Sequence, residues 1–315
     1  MLNKPFYHWP KANVLYPDYA GKSYRLKRLR YRLRSLLHLG YIKKFEHFVN
    51  QTPALVRLLN ERPNFSYPLV YRFLDKRFSA PTRFALICDN LQFLPQKLEE
   101  ISVPDSTETN ATIQKSKNIE KATALFPLIF SRPINFGDLT GEFELCLMLN
   151  DHQAMEGFWT LELRHKPTDR EVYLLTFGKL NNALLIAVIQ GPNFEGSKEM
   201  VKQLTKLCHG LRPAYLMVEV MKMLTALLSY SNLLGIPQRY QNKSRFVKSK
   251  RYFVDYDVIF SEAGGIQNHR YWQLPLQCER LLDTIPSKKR SMYRKRYEML
   301  DALNIIMKQK LNLTD

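Results

Sequence analysis

Acid is scarce in this chain. Asp and Glu number 29 against 47 Lys and Arg, a formal charge of +18. Such a balance sets up a positive field that attracts nucleic acid, anionic lipid or polyphosphate ligands without choosing among them. Paired cysteines are missing too. Cys88, Cys146, Cys208 and Cys278 stand far apart with no CxxC, and free thiols in a reducing compartment are the expectation. The histidines show no HExxH and no tight grouping with cysteine, so no metal site is expected. The opening residues, MLNKPFYHWPKANVL, are broken by Lys4, His8, Pro10 and Lys11 and lack the uninterrupted apolar core of a signal peptide. No run reaches the roughly 18 apolar residues of a membrane span; AYLMVEVMKMLTALL is interrupted by Glu219 and Lys222. The expectation is a cytoplasmic protein, or one peripheral at the inner membrane, with no transmembrane segment.

What is present is an abundance of apolar residues, 45% of the chain, arranged in two rhythms. Between residues 21 and 50, Leu26, Leu29, Leu33, Leu36, Leu37 and Leu39 recur at steps near three and four, with Lys or Arg at 22, 25, 27, 28, 30, 32 and 34. That spacing predicts a basic amphipathic helix. Gly40 and Pro53 punctuate it, and LVRLLN and LVYRFLDKRF are read as further short helices. Residues 101–121, ISVPDSTETNATIQKSKNIEK, are poor in large apolar side chains and are read as a linker between a helical part, 1–100, and an α/β domain, 122–315. From there the pattern alternates. FELCLMLN, WTLELRH, EVYLLTFG and ALLIAVIQ predict an antiparallel meander, preceded by a candidate strand at LFPLIF. ALLIAVI is apolar on both faces and is expected to be the most buried strand.

After QGPNFEGS come two helical stripes. Met200, Val201, Leu204, Leu207, Cys208 and Leu211 form the first, with Ser197 as expected N-cap. Leu216, Met217, Val220, Met223, Leu224, Leu227 and Leu228 form the second, opened by Pro213. NLLGI and YWQLPL read as strands, DYDVIFSEAGG as a short helix closed by glycine, and 287–311 as a last helix capped by Ser287. The fold class expected is mixed α+β: helices first, then a mostly antiparallel mixed sheet flanked by helices.

Several of these segments together carry a resemblance: IQGP at 189–192, CHGLRP at 208–213, DYDVIFSEAGG at 255–265 and SKKRSMYRKRYEMLDAL at 287–303. They resemble the VirK/YbjX family of Gram-negative bacteria from about residue 20 onward. That resemblance implies a role in virulence, stress responses or tolerance of host antimicrobial peptides, without an agreed biochemical activity. The element order is also similar to that of the Gcn5-related N-acetyltransferases, which implies acyl-CoA as candidate cofactor and an acyltransferase as alternative function. For that site, strands 171–178 and 183–190 are expected to splay beside a pocket at Gly191. Glu195 and Pro192 in QGPNFEGS depart from the acetyltransferase phosphate loop, since one brings negative charge and the other lacks an N–H.

The candidate sites follow. Gln190, Gly191, Gly196, Ser197, Lys198 and Lys202 are candidate cofactor-phosphate ligands at a strand-to-helix turn. The same glycines also serve a turn with no ligand. Glu162, Glu219 and His209 are candidate acids or bases, the glutamates because desolvation raises a carboxyl's pKa. Arg212, Arg290, Arg294 and Arg296 are candidate anion ligands. No helix-turn-helix, RNA-recognition or OB signature is visible, so sequence-specific DNA binding is not expected. The anionic partner expected is inner-leaflet lipid or RNA, met through a basic surface.

Overall fold

A computed structural model describes residues 5–17, 22–102, 129–242, 255–277 and 280–312. The polar stretch read as a linker lies, from 103 onward, outside the described residues, as do most of LFPLIF and the basic RFVKSKR segment.

The architecture is mixed α+β. Eight strands form one sheet: β1 (Ile134–Asp138), β2 (Phe143–Leu149), β3 (Trp159–His165), β4 (Arg170–Leu180), β5 (Ala183–Gln190), β6 (Asn232–Gly235), β7 (Ile266–Asn268) and β8 (Tyr271–Leu274). Their order across the sheet is β1-β2-β3-β4-β5-β6-β8-β7. Strands β1 to β5 form an antiparallel meander, while β5 and β6 run parallel, Ala183 opposite Asn232 through Ile186 opposite Gly235. A parallel neighbour requires a crossover, and the two helices α6 (Ser197–Leu207) and α7 (Pro213–Leu227) supply it. β5 is central in this order, with strands on both sides and buried residues from Ala183 to Ile189. Its double-sided apolar run has that cause. β1 and β7 were not read from the sequence; INFGD and IQN are too short and too polar to alternate visibly.

The N-terminal helices are α1 (Ala12–Leu15), α2 (Lys22–Leu37), α3 (Leu39–Asn50), α4 (Pro53–Glu61) and α5 (Ala80–Ser102). The continuous helix expected over 21–50 breaks at His38, and Gly40 lies inside α3. LVYRFLDKRF is not a helix. After a 3-10 turn at Tyr67–Val70 the chain is irregular, with Leu74 at φ 55° and Asp75 held by the Arg77 guanidinium two residues on. That local ion pair closes a turn where a helix would have continued.

The leucines of α2 do not face the core. Tyr31 does: its hydroxyl donates to the Pro10 carbonyl at 2.8 Å, its ring stacks on Trp9, and Trp9 Nε1 donates to Ser35 Oγ at 3.3 Å. Residues with an apolar body and a polar tip satisfy this contact better than leucine, because it also covers backbone carbonyls. The helical layer reaches the sheet through α5. Asn90 is fully buried; its side-chain Oδ1 accepts from Lys179 N at 2.7 Å and its Nδ2 donates to Lys179 O at 2.9 Å, while its own carbonyl accepts from Trp159 Nε1 at 3.0 Å.

On the other side of the chain, α7 packs on β4 and β5, α8 (Tyr256–Glu262) on β7 and β8, and α9 (Ser287–Lys310) on α7 and β1. Ser197 and Ser287 are the first helical residues, and the cap positions fall to Gly196 and Pro286. Gly196 takes the left-handed φ of 80°, a conformation that glycine adopts at little cost.

Candidate functional site

The parallel pair ends close to a feature that a ligand suits. β6 stays with β5 as far as the bond from Ile236 N to Ile186 O, 3.1 Å. Beyond it β5 continues alone to Gln190, and the Tyr256 hydroxyl of α8 donates to the Ile189 carbonyl at 2.9 Å, supplying the partner that β6 no longer provides. β4 remains paired with β5 out to Leu174 opposite Gln190. The strands 171–178 and 183–190 therefore do not splay as expected; the parting lies between β5 and β6.

Near this end of β5 a cleft of about 570 Å³ opens between α6, the start of α7 and the start of α8. Tyr173, Val201, Pro213, Ala214, Val258 and Ile259 give it an apolar wall, while Lys202, Lys206 and Arg212 bring three cations to its rim. Arg212 holds the N-cap position of α7 and lies over the Tyr215 ring at 5.2 Å. The Tyr215 hydroxyl donates to the Glu262 carboxylate. Desolvation, then that bond and charge, pushes the Tyr215 phenol up to about 12. Asp255 also lines the cleft, with its carboxylate engaged in capping α8 through Asp257 N and Val258 N at 3.0 and 3.2 Å.

Of the residues singled out at 190–202, Lys202 lines this cleft, and Glu199 lies 3.9 Å from its ammonium. Gly191 has a packing reason instead: a methyl there would lie 2.9 Å from the Tyr173 ring. Gln190 and Lys198 are exposed, and Ser197, the first residue of α6, is not among the lining residues. Arg296 donates from Nε and Nη2 to the His209 carbonyl at 3.2 and 2.9 Å, clasping α9 to the corner between α6 and α7. Arg290 donates to the Ile285 and Asp283 carbonyls at the start of α9. Arg294 is exposed on the same helix. Glu219 accepts from the buried Lys222 ammonium at 2.7 Å, and Lys222 also donates to the Ala263 carbonyl of α8 at 2.9 Å. Such an arrangement ties two helices together, a structural role for Glu219.

Glu162 lies elsewhere, on β3, and is 4% exposed. Burial raises its pKa, Glu171 adds to the rise, and Arg164 and His152 oppose it. Glu171 is raised by burial as well, and its carboxylate meets His152 Nε2 at 2.7 Å. His152, Glu162 and Glu171 bring donor atoms within 4.8 Å of one another. These are metal-type ligands, brought together from three segments with no local spacing to announce them. The Arg164 guanidinium stands 3.6 Å from Glu162 and 2.7 Å from Asp169, a cation already placed beside the carboxylates. Cys88, Cys146 and Cys208 are free, and burial pushes each thiol up to about 12, which keeps them unreactive.

Fold and cleft together define an α+β protein whose mostly antiparallel sheet carries one parallel pair, with a cation-rimmed cleft near its open end. The chain belongs to the family described as "Protein of unknown function (DUF535)", whose model matches residues 20–309. An uncharacterized protein of Haemophilus influenzae is 54% identical over 99% of both chains. Membrane protein LapB of Mannheimia haemolytica is 60% identical over 76% of this chain and 96% of its own. The uncharacterized protein YbjX of Escherichia coli is 29% identical over 51% of this chain and 52% of its own, in keeping with the VirK/YbjX resemblance. No solved structure matches.

Proposed function

We propose that this chain is a VirK/YbjX-type accessory protein that works at the inner face of the membrane and recognises an anionic amphiphile through its basic surface. The observation that carries this reading is the cleft itself, with Lys202, Lys206 and Arg212 around an apolar wall. Cations at the mouth of a low-dielectric pocket favour a ligand with a charged head and an apolar body. The name of the Mannheimia haemolytica relative, membrane protein LapB, supports the membrane location. Among the described residues no helix is long and apolar enough to cross a bilayer, so the attachment proposed is peripheral. The cellular role proposed is in virulence, stress response or antimicrobial-peptide tolerance, as the family resemblance implies.

The reading is tested by thermal shift of the purified chain with pyrophosphate, lysophosphatidylglycerol and acyl-CoA. A single-chain anionic lipid is expected to raise Tm, and Lys206→Gln with Arg212→Gln to weaken its binding by about tenfold or more. No shift with any of the three would sink the cleft as a binding site.

One observation favours the acyltransferase alternative. β6 ends at Gly235 and leaves β5 without it from Ala187 to Gln190, and an opening beside a parallel pair is what the acetyltransferase resemblance implies for an acyl-CoA arm. Against it, Glu162, Glu219 and His209 are absent from the cleft lining, so none of the candidate bases stands where an acceptor would sit. A shift with acyl-CoA accompanied by acyl transfer to an added amine would favour this alternative.

A further inference from the structure

The face of α2 that packs on the protein is made of Tyr24, Arg28, Tyr31, Ser35 and His38, residues spaced by four and three and hence on one side of the helix. Arg28 Nε donates to the Tyr16 carbonyl at 2.7 Å and Arg34 lies over the Tyr71 ring at 4.0 Å, fixing that orientation. On the opposite side Leu26, Leu29, Leu33, Leu36 and Leu37 form a stripe that Leu39 continues, and all six are between 48% and 81% exposed. Arg25 and Arg32 border the stripe on one side and Arg30 on the other, all exposed. From Lys22 to Phe45 the sequence contains no acid.

An outward row of five leucines on α2, with Leu39 opening α3 beyond it, is not a packing remainder, because scattered surface leucines are common and an aligned row on one helix is not. We infer that α2 is an in-plane membrane anchor, whose leucine stripe enters the acyl boundary of an anionic phospholipid bilayer while its arginines meet the headgroups. This deepens the membrane reading above and rests on it, though not on the cleft. Three features choose the occupant. The leucines crown a convex helix surface, which a fluid planar bilayer can receive and which a protein partner could cover only with a matching groove. The cationic borders on both sides fit a continuous anionic plane. A second copy of the same face would bring arginine against arginine with no acid between Lys22 and Phe45 to neutralise them. The helix, 16 residues and about 24 Å long, lies along the surface.

The test is co-sedimentation of the full chain with vesicles of phosphatidylglycerol and phosphatidylethanolamine, and with vesicles of phosphatidylcholine alone. The wild type is expected to bind the anionic vesicles and leave the neutral ones. Leu29→Glu with Leu33→Glu is expected to lower that binding by at least about tenfold, at an unchanged circular dichroism melt, because both positions are exposed. Arg30→Gln with Arg32→Gln is expected to weaken binding at low salt and to flatten its salt dependence. No binding of the wild type to anionic vesicles overturns this inference together with the membrane reading. Wild-type binding by the leucine variant overturns the inference alone and leaves attachment to another basic surface. A wild-type dimer that the leucine variant converts to monomer in light scattering makes a second copy the occupant and overturns it as well.

Discussion

A buried carboxyl on a β-strand is the residue with the most to say about pH. Glu162 has 4% of its surface exposed, and burial with Glu171 nearby raises its pKa above the ordinary carboxylate value. A raised folded-state pKa means that the folded chain holds the proton more tightly than the unfolded one. The folded state is thus favoured at acid pH, and that contribution is lost as pH rises from the ordinary carboxylate range through the raised value. Glu162→Gln, which keeps the shape and removes the charge, should raise stability at pH 7.5. The gain should shrink as pH falls below the carboxylate range. Urea denaturation of both proteins at pH 7.5 and pH 4 measures it, and a gain independent of pH would show that charge is not the cause. The sequence pointed to Glu162 as a candidate base, because a lone Glu in an apolar strand is desolvated wherever the strand is buried. It did not point to His152 or Glu171, whose relation to Glu162 exists only across strands.

Elements met their expected places where one periodicity accounts for them, and missed where a single contact decides. β2 to β5 and α6 to α9 lie where alternation and helical stripes put them. The corner between α6 and α7 shows what periodicity omits. CHGLRP needs its glycine because Gly210 has φ 76° and a methyl there would stand 3.2 Å from Met292 Sδ and 3.3 Å from Arg296 Nη2. Gly210→Ala should cost about 1–3 kcal/mol, through both backbone strain and displacement of α9. Arg296→Ala should cost about 1–2 kcal/mol by releasing the His209 carbonyl. Arg294→Ala, two residues away and exposed, should stay within about 0.5 kcal/mol. Guanidinium melts of the three variants separate a clasp from a charge run; equal effects of Arg294 and Arg296 would refute the clasp. SKKRSMYRKRY, whose arginines are candidate anion ligands in the sequence, thus divides into arginines that hold α9 to the molecule, Arg290 and Arg296, and Arg294, which faces solvent.

At the scale of the whole molecule, one asparagine joins the helical part to the sheet. Asn90 bonds both the N–H and the carbonyl of Lys179 at the far end of β4, while its own carbonyl receives the Trp159 indole. Asn90→Ala would keep the backbone carbonyl that receives the indole but leave the Lys179 N–H and carbonyl without their side-chain partner, and a loss of about 2–4 kcal/mol is expected. Because the contact spans 89 positions of sequence, the helical part and the sheet should lose stability together. Hydrogen exchange would then show amides of α3 and β3 opening at the same lowered free energy. Protection lost in α3 alone would mean that residues up to about 100 open as a separate unit.

Composition and rhythm by themselves determined the class of this protein. A helical start, a four-strand meander, a doubly apolar fifth strand in the sheet and a terminal helix each follow from local periodicity, and local periodicity is written in consecutive residues. The sign of the charge was equally plain, since 47 cations against 29 acids need no fold to be counted. Only the tertiary structure decided which way each amphipathic face points. The five leucines of α2 spell an inward stripe in any one-dimensional reading, yet Trp9, Tyr31 and Ser35 occupy the inner contact and turn the leucines out. The cleft was likewise invisible, because Tyr173 of β4, Lys206 of α6, Arg212 before α7 and Val258 of α8 meet only in the folded chain. Which residues meet across strands and helices depends on chain crossings, and these are fixed by the packing of the whole core.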